Sequence, residues 1–68
     1  MITQKEMTEI LKDPRFKVST YLVNRQFHVT ILDTVTGLST LCKRHNSYAL
    51  CKQEALSELL AKIRDFEG

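Results

Sequence analysis

Four side chains in this sequence could do covalent or metal chemistry: His28, Cys42, His45 and Cys51. A cysteine nucleophile needs an electropositive surrounding and a base within hydrogen-bond reach. Lys43, Arg44 and His45 directly follow Cys42 and meet the first condition along the chain. A strand-end cysteine packed under a helix accounts for the same residue as a small buried hydrophobe. A zinc site would draw on Cys42, His45, Cys51 and His28, but Cys-x2-His-x5-Cys lacks the paired, short-spaced ligands of a ribbon or finger. Two thiols without an export-signal pattern are expected as reduced core residues, and a disulfide between them would need an oxidising compartment. No Gly-rich phosphate loop, H-E-x-x-H or nucleophile-elbow serine occurs. The expectation is a protein that is not an enzyme and carries no cofactor or metal.

Charge is the stronger signal. Ten Lys and Arg against eight Asp and Glu give a net +2, an average that conceals an asymmetry. Between Arg15 and Lys52 stand six basic residues (Arg15, Lys17, Arg25, Lys43, Arg44, Lys52) against one acid, Asp33. Both flanking segments are net acidic, through Glu6, Glu9 and Asp13 before and Glu54, Glu58, Asp65 and Glu67 after. Lys43, Arg44, His45 and Lys52 gather around the start of the second predicted helix. Free backbone N–H groups and the positive dipole end there favour an acidic partner. Arg25, in the first predicted turn, extends the set. Arg25, Lys43, Arg44, His45 and Lys52 are therefore the candidate binding residues, and an acidic partner is the inference.

The elements that must position these groups follow from local pattern. Thr3 and Glu6 have the spacing of a capping box, with Ile2 and Met7 as a hydrophobic staple. Met7, Ile10 and Leu11 then recur at helical spacing, and Pro14 predicts an end near Lys12. Residues 15–23 are rich in β-branched and aromatic side chains, and Asn24-Arg25-Gln26 breaks the run without a glycine. Phe27, Val29 and Ile31 alternate with His28, Thr30 and Leu32, the signature of a strand with one buried face, which leaves His28 on the solvent side. Asp33-Thr-Val-Thr-Gly37 predicts a turn in which Gly37 takes a positive φ. Residues 38–43 form a weaker third strand. A long helix, capped by Asn46 or Ser47, runs to about Phe66 with Tyr48, Ala55, Leu56, Leu59, Ile63 and Phe66 on one face and Leu50 outward.

The expected fold class is α+β, in the order α-β-β-β-α. It is one domain over residues 1–68, with a three-stranded antiparallel sheet and both helices packed on one face. Sixty-eight residues bury one thin layer of side chains and leave little room for a deep cleft. No apolar run approaches the roughly 20 residues a membrane-spanning helix needs. The polar Thr3, Gln4 and Lys5 after Ile2 give no leader pattern, so a cytoplasmic location is expected. A thin core and an outward Leu50 also admit a homodimer.

The order of elements and the second-helix pattern resemble a double-stranded RNA-binding domain. That family's last helix reads Ser-Lys-Lys-x-Ala-Lys-x-x-Ala-Ala-x-x-Ala-Leu; Ser47, Lys52, Ala55 and Leu60 match it by identity, and Cys51, Leu56 and Leu59 stand where it has alanines. The resemblance implies the α-β-β-β-α fold and phosphate contacts from the start of the second helix. Tyr48 and Ala49 replace the family's paired lysines, and its Gly-Pro-x-His loop between the first two strands is absent. In size and simplicity the chain also resembles the short accessory and inhibitor proteins of phages and other mobile elements. Two functions are expected from these readings. The first is a protein-binding regulator or inhibitor docking on a larger cellular machine through a basic sheet and loop surface. The alternative is a nucleic-acid binder contacting phosphates with Arg25, Lys43, Arg44 and Lys52.

Overall fold

The computed structural model describes residues 3–45 and 47–67, and for Lys43, Arg44 and His45 the backbone alone. Its order is α1 (Gln4–Ile10), β1 (Phe16–Val23), β2 (Gln26–Asp33), β3 (Ser39–His45) and α2 (Tyr48–Glu67). The strands form one antiparallel meander with β2 in the centre. The α+β class and the α-β-β-β-α order are those expected.

The first helix starts as its capping box requires. The Glu6 amide donates to Thr3 Oγ1 at 3.1 Å, and the Thr3 amide donates to Glu6 Oε1 at 3.2 Å. Ile2, the other half of the proposed staple, lies outside the described residues. The helix closes earlier than expected, at Leu11. Amides of Lys12 and Asp13 bond back only three residues, to Glu9 and Ile10, tightening the chain before Pro14 excludes further helix. In α2 the Leu50 amide donates to Ser47 Oγ at 3.3 Å and the Cys51 amide to the Ser47 carbonyl at 3.0 Å. Ser47 thus acts as the cap; Asn46 lies outside the described residues.

One layer of side chains forms the core. Val29 and Ile31 of β2 and Cys42 of β3 face Cys51, Ala55, Leu56, Leu59 and Ile63 of α2, and α1 adds Met7 from the side of α2. The second helix lies across β2 and β3. Thr40 is buried with them, and its hydroxyl donates to the Ala55 carbonyl at 2.7 Å, satisfying the one polar atom of its side chain. Phe66, expected on the core face, is 65% exposed and lies beyond Ile63, the last buried residue of the helix. Most consequential is β1, which is exposed at every position from Lys17 to Val23. Neither helix covers that strand.

Candidate functional site

Phe27 organises the end of the molecule where the candidate residues meet. It is the second residue of β2, paired in register with Leu22 on one side and His45 on the other. Its ring lies 5.7 Å from that of Tyr48, the first residue of α2. One turn on, Lys52 Nζ sits 5.3 Å from the Tyr48 ring centroid, a cation–π contact that orients the ammonium. Arg25 occupies the turn just before β2 and is exposed. The backbone of Lys43, Arg44 and His45 forms the last three residues of β3. The fold therefore collects Arg25, residues 43–45 and Lys52 at one end, around Phe27 and Tyr48.

Two departures from regular geometry coincide there, and neither was read from the sequence. The β1–β2 loop is a two-residue turn in which Asn24 (φ 51°) and Arg25 (φ 64°) are both left-handed. This is the type I′ geometry that suits the twist of a hairpin and normally selects glycine at its second position. The pattern Asn-Gly would have announced it; Asn-Arg reads only as a polar break. The second departure is a bulge. Phe27 pairs with His45 but Val29 pairs with Cys42, so β3 spends one extra residue over this interval. It falls at Lys43 and Arg44, interrupting strict alternation where the basic residues sit, and no glycine marks it.

The opposite end carries an ion pair that composition alone could not reveal. Asp33 is fully buried, and its carboxylate accepts from Arg15 Nε at 2.8 Å and Nη2 at 2.7 Å. The Val35 amide and the Thr36 hydroxyl donate to the same group at 3.1 and 2.7 Å. Hydrogen bonding from Arg15 holds this carboxyl well below the usual carboxylate range, against the desolvation that would raise it, with Thr36 and Val35 assisting. The Asp-Thr-Val-Thr-Gly turn was legible as a turn, and Gly37 takes the expected positive φ of 81°. The bond to a residue 18 positions away had no local signal. This pair withdraws Arg15 from the basic set available to a partner.

Cysteine chemistry is not prepared. Burial pushes the Cys42 thiol up to about 12, reinforced by Cys51 and by Glu54, whose carboxylate accepts from Sγ at 3.6 Å. Cys51 is fully buried, and its thiol donates to the carbonyls of Phe27 and Cys42 at 3.6 and 3.5 Å. The order and register put His28 opposite Tyr21, on the sheet face away from Cys42. The sheet thus separates His28 from Cys42 and Cys51, and the His45 side chain lies outside the described residues. Among the described residues no group of three or more His, Cys, Asp or Glu is placed to hold a metal ion. None of the described helices is long and apolar enough to cross a membrane.

Comparison with protein-family models, curated proteins and solved structures gave no match. The fold and the chemistry of the site therefore carry the functional argument.

Proposed function

We propose that this chain is a small, non-catalytic protein-binding regulator or inhibitor that docks on a larger assembly through its basic end. The observation that carries the reading is the coincidence of a left-handed, non-glycine turn at Arg25 and a bulge at Lys43–Arg44 with Lys52 nearby. Strained turns and bulges cost stability, and they concentrate where a chain presents side chains for recognition. The neighbours favour a protein partner. Tyr48 and Leu50, 38% and 49% exposed, stand in the first turn of α2 beside the basic groups. An acidic protein surface with apolar content matches that mixture; a phosphate backbone gains nothing from the leucine.

A second reading rests on topology. The α-β-β-β-α order is that of a double-stranded RNA-binding domain, and Arg25, Lys43, Arg44 and Lys52 could meet phosphates. Shape recognition of a duplex requires several correctly spaced contacts at once, and Tyr48 and Ala49 replace two of them. Capture of partners from the source cell, with and without nuclease, separates the readings. The protein-binding reading expects a nuclease-resistant partner that Lys43→Glu with Arg44→Glu releases while the domain stays folded. Capture unchanged by that double substitution removes this end from the interface. Nucleic acid retained at low salt and lost steeply as salt rises would favour the second reading instead.

A further inference from the structure

We propose that two copies of the chain associate through β1, edge to edge and antiparallel, to form a continuous six-stranded sheet. The strand is a free edge of the sheet and is exposed from Lys17 to Val23. Beyond Lys17 it is also unguarded. Natural edge strands are protected by charge, proline, bulges or a covering element. Val18-Ser19-Thr20-Tyr21-Leu22-Val23 has no charge and no proline, and its pairing with β2 runs without a register shift. The other edge, β3, has both Lys43-Arg44 and the bulge. The two edges of one small sheet are thus treated oppositely.

The backbone fixes how a second strand would add. With a two-residue loop, Val23 and Gln26 exchange hydrogen bonds, and bonded pairs recur at Tyr21–His28, Ser19–Thr30 and Lys17–Leu32. The N–H and C=O groups of Val18, Thr20 and Leu22 consequently point away from the sheet, towards a new strand. These residues pair with Ile31, Val29 and Phe27, so their side chains lie on the helix side. A two-fold axis perpendicular to the sheet through Thr20 brings outward groups opposite outward groups. It sets Leu22 of one copy against Val18 of the second on the helix side, and Tyr21 against Ser19 on the other.

This register is self-complementary. Leu22 and Val18, 65% and 38% exposed in one copy, gain an apolar neighbour. Lys17 falls opposite Val23, so no two ammonium groups meet across the pair. A second copy is therefore the occupant that this strand matches. One strand pair with a single layer of side chains buries less than the roughly 1,200 Å² of a standard interface, so the dimer is expected to be reversible.

Sedimentation velocity of the full chain over a wide concentration range tests the proposal. A monomer–dimer equilibrium is expected, and Thr20→Lys, which places two ammonium groups on the axis, should weaken it about tenfold or more without lowering the melting temperature. Thr20→Cys should cross-link to itself under mild oxidation much faster than Tyr21→Cys, since the native thiols are buried. A chain that stays monomeric at all concentrations overturns the proposal, as does a dimer that Thr20→Lys leaves intact. Preferred cross-linking through Tyr21→Cys would overturn the Thr20-centred register.

Discussion

Arg25 is held in a left-handed conformation that costs an ordinary L-residue roughly 1–2 kcal/mol relative to the right-handed region. Glycine relieves that cost. Arg25→Gly is therefore expected to raise stability by about 1 kcal/mol in urea unfolding, while weakening capture of the acidic partner. Opposite signs in the two assays would identify a residue kept for recognition at the expense of the fold. Asp33 gives the converse case. Its carboxyl ionises far more readily folded than unfolded, so the stability it supplies is complete above the unfolded value and declines as pH falls below about 4. Asp33→Asn should lower stability at neutral pH and flatten that acid decline. Cys42 behaves in the opposite sense. The unfolded thiol ionises near pH 8.5 and the folded one only at about 12, so stability should fall as pH rises above about 8.5. Native protein should resist alkylation at Cys42 until it unfolds.

At the scale of elements, α2 carries the core and α1 leans on it. Leu59 is fully buried at the centre of the helix–sheet contact, so Leu59→Ala should cost on the order of 2–5 kcal/mol by thermal or chemical unfolding. Thr3→Ala removes one arm of a satisfied capping box and should cost about 1 kcal/mol. The order of the elements was legible because each announces itself locally. Thr3 and Glu6 mark a helix start, Phe27, Val29 and Ile31 alternate, and α2 repeats its apolar positions at helical spacing. Coverage was not legible. The β-branched run of β1 marks a strand and not its burial; α2 spans only β2 and β3, and α1 is seven residues long. Which strand goes uncovered depends on where a helix crosses a sheet, and that is set by contacts distant in sequence. The candidate site divides the same way. Its basic residues were found from charge, whereas the turn and the bulge that present them depend on pairing register.

For the whole molecule, the net +2 conceals two dissimilar ends. One is closed by the Arg15–Asp33 pair, with four hydrogen bonds converging on a single buried carboxylate. The other holds Arg25, residues 43–45 and Lys52 around the Phe27–Tyr48 contact. A partner with acidic character would be steered to the second end, and its association rate should fall with ionic strength more than its dissociation rate changes.

The uncovered β1 should also leave a mark in time. Its amides divide into two sets: Ser19, Tyr21 and Val23 turn inward to β2, and Val18, Thr20 and Leu22 turn outward. In dilute solution, deuterium should enter the outward set rapidly and the inward set slowly, a fast–slow alternation that the central β2, bonded on both sides, would not display. Concentrating the protein should slow only the outward three. The strand would then report, residue by residue, whether its free side has been taken.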